Sequence, residues 1–419
     1  LLTGEVVAGR VSAERLARDV EAVAGCSECA PEQGFSRPTF SAPWGAVCRY
    51  VIDEAARAGC SHRIDAHGNV HIRPAGAGWE KPLWLSGSHL DSVPSGGKYD
   101  GVTGVVCALE LLRCGAELEL VVYAEEEGTT FGLGMLGSRS WVGALSVEQL
   151  SAVRNREGKN YLEAGAAFGV RPEAMAAERL DPRRYRGFLE VHPEQGLSLW
   201  NRGIAVAAVD RINGRRQYTV TLQGQGNHAG STRMPERRDA LAGAADVVVE
   251  VERIGRALAE ELDYTVMTVG RLNATPNALN VIASQVDFTI DFRAQTQAML
   301  DAGDCRLRER ILAIAAARGL PVTLVMTEDQ PPAPLDEGLI QRLHRAADAC
   351  GIPFHRVPSG ALHDAAIVAP YLPTAMLFVA SRDGISHHPT EFSRIEDIVA
   401  ATRLMAHTIC ESAAIPPAG

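Results

Sequence analysis

The sequence predicts an α/β fold interrupted by a smaller α+β unit. Helix-like and strand-like segments alternate from about residue 45 to residue 290. Polar residues able to do chemistry stand where apolar strand runs end. Near residue 211 the pattern changes to half-exposed strands and long amphipathic helices.

Taken in order, "APWGAVCRYVIDEAARAG" reads as a helix stopped by Gly59. "NVHIRP" is a short strand, and "KPLWLSGSHLDS" starts another after a Gly/Pro-rich turn. "GVTGVVCALELLRCG" is a helix closed by Gly115, and "ELELVVYA" is the buried strand that follows it. The smaller unit opens with the alternating strand "RRQYTVTLQGQ" and the long helix "RRDALAGAADVVVEVERIGRALAEEL". It continues through the strands "YTVMTVGRL" and "VDFTIDFRA", the helix "LDAGDCRLRERILAIAAARG" and the strand "LPVTLVM". "TEDQPPAPLDEG" reads as the linker back. The expected organisation is therefore a first domain over 1–210, an insertion over 211–330, and the return of the first domain over 331–419.

Bulk properties narrow the function. At 419 residues the chain holds two domains or one domain with an insertion. A formal net charge of -10 argues against a nucleic-acid surface, which needs a basic field. No apolar run is long enough to span a bilayer, and the first residues lack a basic segment followed by an apolar core, so the expected setting is cytoplasmic, with no membrane partner. Nine scattered cysteines fit reduced, packed thiols. Cys26 and Cys29 have CxxC spacing but no second ligand pair, and read as a helix end entering a loop.

The run "LELVVYAEEEGTTFG" poses the functional question, because Glu125, Glu126 and Glu127 must repel one another where a buried strand stops. They either face water or share a cation. "GSHLDSVPSGGKYDG" offers His89, Asp91 and Asp100. In this HxD the alternation of a strand puts His89 and Asp91 on one face, so Asp91 could hold the imidazole tautomer while His89 binds metal. Taken alone the pair is common and reads more readily as a polar strand terminus. Asp100, at a helix start, is a carboxylate able to bridge two cations. "FLEVHPEQG" adds His192, and "RDGISHHPTEF" adds His387 and His388, of which at most one points inward. With dications present, one Glu can ligate while its neighbour accepts a proton from water.

These segments, with "GQGNHAGSTRMPERRDAL", "PNALNVIASQVDFTIDFR" and "SGALHDA", resemble the N-carbamoyl-L-amino-acid hydrolase and allantoate amidohydrolase family of dinuclear-metal hydrolases, from about residue 35 onward and in family order. The resemblance implies a dinuclear-metal catalytic α/β domain with an inserted α+β lid and dimerisation domain. It implies two divalent ions, zinc or else manganese, cobalt or nickel: His89 and His192 would serve one, Glu127 and His387 the other, and Asp100 would bridge. It makes Glu126 the general base, with Asp91 retained from the strand reading as the partner of His89. His228 would stabilise the oxyanion, Asn280 and Arg293 would hold a substrate carboxylate, and Gln195 and Gly360 would contact substrate. The implied reaction cleaves the carbamoyl C–N bond of a small ureido acid, such as an N-carbamoyl-L-amino acid or allantoate, to ammonia, carbon dioxide and an amino acid. A homodimer through the insertion is implied as well. The alternative is an aminoacylase or dipeptidase using the same metals, against which His192 in place of a carboxylate argues.

Glu125, where the family frequently has Asn, reads as a residue supporting the ligands or as solvated. Arg233 and Leu362 stand where Pro and Gly are usual, which leaves the substrate open. His62, His67, His71, His344, His355 and His407 match nothing catalytic and read as surface or packing residues. His363 reads as structural.

Overall fold

The computed structural model describes residues 2–411. In chain order it forms β1 (Cys60–Ile64), β2 (Val70–Pro74), β3 (Leu83–His89), β4 (Leu118–Tyr123), β5 (Tyr185–Pro193) and β6 (Val206–Ile212). Then come β7 (Gly214–Gln223), β8 (Val266–Thr275), β9 (Gln285–Ala294) and β10 (Val322–Gln330), and finally β11 (Ala333–Pro334), β12 (Arg356–Ser359) and β13 (Thr374–Val379). The fold is α/β as the sequence predicts, and its chain separates into two units.

Among the described residues, the first unit comprises 2–210, 334–357 and 363–411. Its sheet runs β1-β2-β4-β3-β5-β13-β6-β11, with β12 paired to β6. The central strands β4, β3, β5 and β13 are mutually parallel. Every residue of β3, β4 and β13 is buried, which is why those segments read as continuous apolar runs rather than alternating ones. Helix Val102–Arg113 packs on the sheet with eleven of its twelve residues buried. Helix Ala42–Arg57 starts where the Ser41 hydroxyl accepts the Trp44 N–H, and the chain leaves it at Gly59, whose φ of 79° is the left-handed conformation glycine tolerates. No helix among the described residues is long and apolar enough to cross a membrane.

The second unit comprises residues 211–333 and 358–362. Its antiparallel sheet is ordered β10-β7-β9-β8. Helices Ala240–Glu261 and Gln297–Ala317 complete its core, where Tyr218, Val220 and Phe288 pack with Val247, Val251 and Leu307. β7 and β9 alternate buried and half-buried residues, the period-two pattern of a sheet covered on one face. The segment read as a linker is partly strand: β10 continues through Gln330, and after two intervening residues β11 joins the other sheet.

Candidate metal and active site

Four parallel neighbours, β4, β3, β5 and β13, end at one edge of the first unit's sheet, the usual ligand-binding edge of α/β folds. His89 is the last residue of β3, the three glutamates follow β4, His192 lies next to last in β5, and the His387 loop follows β13. Residues far apart in sequence therefore meet because their strands are neighbours in register, His89 opposite Tyr123 and His192 opposite Phe378.

Asp100 is the hub. One carboxylate oxygen lies 3.0 Å from His192 Nε2 and 3.6 Å from His89 Nε2, and the other lies 3.0 Å from His387 Nε2. His387 Nε2 is also 3.6 Å from Glu127. Two ligand-like groups result, His89–Asp100–His192 and Asp100–Glu127–His387, each with its donor atoms within 4.8 Å of one another and with Asp100 in both. Glu126 reaches to 3.8 Å from His89 Nε2. Gly101 permits this packing, since a Cβ there would meet the His89 ring at 2.5 Å. His388 turns away to Thr390, 2.8 Å from its hydroxyl.

The imidazole tautomers are set by backbone carbonyls. His89 Nδ1 donates to the Asp91 carbonyl and His192 Nδ1 to that of Pro193, each at 3.0 Å, which leaves both Nε2 atoms as acceptors aimed at Asp100. The Asp91 carboxylate lies 3.6 Å from the same His89 nitrogen, while the hydrogen bond itself goes to the main-chain carbonyl. The carboxylate itself accepts the N–H groups of Glu126, at 3.3 Å, and Glu127, at 3.1 Å, fixing the turn that carries base and ligand.

Glu125 is fully buried, which corrects the solvated reading. Its carboxylate accepts the Thr130 and Phe131 N–H groups at 2.8 and 2.9 Å, and its φ is 58°. That left-handed conformation favours Asn among non-glycine residues, the residue type the family frequently places here. His67 and His71 are buried too, so the packing reading holds for them and the surface reading does not. His363 packs edge-on against His192 with ring centroids 4.4 Å apart. Cys26 and Cys29 are free thiols outside any ligand-like group found among the described residues.

The electrostatics show a surplus of negative charge. Burial, reinforced by neighbouring carboxylates, pushes Glu125 to about 7, Glu127 to about 8 and Glu126 well above the usual range. Burial disfavours a charged His89, yet Glu126, Asp100 and Asp91 outweigh it and raise the imidazole well above its ordinary value. Asp100 is buried as well, but the imidazoles of His192, His387 and His89 grouped around it hold it well below the usual carboxylate range. His89 Nε2 is a buried nitrogen with no hydrogen-bond partner. An orphaned acceptor facing surplus carboxylates fits dications, and the imidazole and carboxylate donor set suits zinc, manganese, cobalt or nickel.

The second unit holds the other residues singled out by sequence. His228 is exposed, and its Nδ1 accepts the Gly230 N–H at 3.0 Å, so a neutral His228 carries its proton on Nε2 and presents a donor. Asn280 lies beside it, its carbonyl accepting the Ala229 N–H at 2.9 Å. The Arg293 guanidinium donates to Asp291 at 2.8 Å and to the Gly360 carbonyl at 3.0 Å, which fixes its orientation. Arg233 is exposed and pairs with Glu236, and Leu362 is half-buried. Gln195, in the first unit, donates through Nε2 to Asp100 at 2.9 Å and to Ser386 at 3.0 Å. Sequence reasoning passed over Glu391, which accepts the Asp100 N–H at 3.1 Å, although it closes the "GISHHPTE" motif.

Fold and cluster together fit a metal-dependent hydrolase, and the chain belongs to the peptidase family M20/M25/M40, whose model matches residues 85–411. Within it, the chain is similar to N-carbamoyl-L-amino acid amidohydrolase of Geobacillus stearothermophilus, 34% identical with 91% of this chain and 94% of that one covered. It is also similar to allantoate amidohydrolase of Escherichia coli, 32% identical over 90% of this chain and 92% of that one. Among solved structures, a hydantoinase/carbamoylase-family amidase from Burkholderia multivorans superposes with a TM-score of 0.86 at 33% identity, covering 97% of this chain and 99% of that one. The chain is accordingly an amidohydrolase of the hydantoinase/carbamoylase type.

Proposed function

We propose that this enzyme hydrolyses the carbamoyl C–N bond of a small ureido acid, an N-carbamoyl-L-amino acid or a relative such as allantoate, giving ammonia, carbon dioxide and an amino acid. The observation that carries the proposal is Asp100 shared between two ligand-like groups, with Glu126 beside them. His89, His192 and Asp100 would hold one divalent ion, and Asp100, Glu127 and His387 a second. Bound there, the pair supplies Lewis acidity that polarises the ureido carbonyl and acidifies water.

The protein's own groups do the rest. Glu126, held by Asp91 through its backbone N–H, takes a proton from the attacking water and returns it to the leaving nitrogen. His228, with its proton on Nε2, donates to the oxygen that becomes anionic as the carbonyl turns tetrahedral. Arg293 and Asn280 bind the substrate carboxylate, which reconciles an acidic protein with an anionic substrate. Collapse expels the amino acid, and the carbamate left behind decomposes to carbon dioxide and ammonia. We assign the enzyme to the cytoplasm, as a homodimer through the insertion, whose closure would deliver these groups.

The test is ammonia release from N-carbamoyl-L-amino acids, N-carbamoyl-β-alanine and allantoate with added zinc or manganese, beside a set of N-acetyl amino acids and a Glu126→Gln control. Ammonia that disappears in the control supports the proposal, and the best substrate defines the specificity. Cleavage of the acetyl set alone would make the enzyme an acylase.

A further inference from the structure

Glu391 is almost fully buried at 3% exposure, yet it meets no cationic side chain. All three of its partners are donors: the Tyr99 N–H at 2.8 Å, the Asp100 N–H at 3.1 Å and the Ser386 hydroxyl at 2.8 Å. Having given its one proton to Glu391, Ser386 accepts from Gln195 Nε2 at 3.0 Å. The second proton of that amide goes to the Asp100 carboxylate at 2.9 Å. The bonds close a ring, from Asp100 main chain to Glu391, Ser386, Gln195 and back to the Asp100 side chain. With Glu391 accepting at both oxygens, every member of the ring is satisfied. The turn before Asp100 is shaped around it, because a Cβ on Gly97 would stand 2.1 Å from Glu391 Oε2.

The ring joins two pieces of chain with separate origins. Asp100 sits on the turn that enters helix Val102–Arg113, whereas Ser386 immediately precedes His387 on the loop after β13. Resting on the two-metal reading above, we infer that Glu391, acting through Ser386 and Gln195, is a positioning residue that sets the distance between bridging Asp100 and His387. It also gives Gln195 a task other than substrate contact. A carboxylate that orients a ligand in this manner acts on metal affinity more than on substrate affinity.

The experiment compares zinc binding by the full-length enzyme and by Glu391→Gln and Ser386→Ala, using chelator competition, with thermal melts of the metal-free proteins alongside. Ser386→Ala removes one link without introducing a new group into the core, so it informs even where Glu391→Gln folds poorly. The expected result is two zinc ions on the wild type and about 10–100-fold weaker binding of zinc by both variants. Turnover should recover at saturating zinc, with KM for the ureido acid unchanged. A purely structural role would lower the melting temperature and leave zinc affinity at wild-type values below the transition. Wild-type affinity in both variants, beside a wild type that binds two ions, would overturn the clamp alone. A wild type that binds no zinc, manganese, cobalt or nickel would overturn the two-metal reading and the clamp with it.

Discussion

Strand β4 carries a buried acidic cluster at each end, and the two have opposite electrostatics. Near its start, Glu119 accepts from His71 Nδ1 at 2.7 Å, from the Tyr185 hydroxyl at 2.9 Å and from Arg73 Nε at 2.8 Å. The other nitrogen of His71 meets Asp65 at 3.0 Å. Two carboxylates thus face two cations. Burial would raise Glu119, but His71 and Arg73 more than offset it and hold the carboxyl at about 2. Beyond the strand's end, Glu125, Glu126 and Glu127 are raised instead, because burial and mutual repulsion act together there. Equal burial therefore gives opposite outcomes, decided by whether the chain supplies its own cations. The first cluster is balanced by folding; the second keeps a surplus of carboxylates over its own imidazoles.

The largest expected effect tests the end with the surplus. Glu126→Gln should cut turnover by about 10²–10⁴-fold while the protein still folds and binds metal, measured as ammonia release beside metal content. A loss of metal instead would make Glu126 a ligand. At the balanced end, Glu119→Ala leaves Arg73 and His71 buried without their carboxylate and should cost about 3–5 kcal/mol, read from urea unfolding. A loss below 1 kcal/mol would mean that water reaches this network.

Glu127→Gln sharpens the contrast through a change of sign. In chelator-treated protein it replaces a carboxyl whose charged form burial and its neighbours disfavour, and should be neutral or stabilising. In metal-loaded protein it should forfeit about 2.7 kcal/mol where free metal stands at 100 times Kd. Thermal melts with and without chelator read both arms, and destabilisation in both would show that Glu127 is balanced within the protein. The balanced end is also readable in pH. The folded pKa of Glu119 lies below its unfolded value of about 4.3, so the unfolded state binds more protons between the two. The stability that Glu119 supplies is complete above that window and is lost as pH falls from about 5 toward 2. Glu119→Gln should flatten this part of the urea-midpoint profile.

The two ends of β4 also differ in how far sequence reveals them. His89, Asp100, the glutamate triplet, His192 and His387 each stand beside an apolar run or a glycine turn, so their placement at element ends was legible locally. The network of Asp65, His71, Arg73 and Glu119 was not, because it depends on β2 pairing antiparallel with β4, a contact between chemically ordinary segments. Glu391 was missed for the same reason, since its partner Tyr99 lies 292 positions away. Asp91 was placed beside His89 by strand alternation, but alternation predicts only which face a side chain takes, not that its carboxylate also caps the neighbouring strand's turn.

By itself, then, the sequence determined the α/β class, the strands and helices of the insertion and the identity of the chemical groups, because periodicity and strand-end chemistry are local properties. Tertiary structure alone decided which strands are neighbours, and therefore which carboxylates find cations within the chain and which are left facing one another around Asp100. Burial and charge balance are sums over atoms brought together from the whole chain, and no local pattern carries that sum.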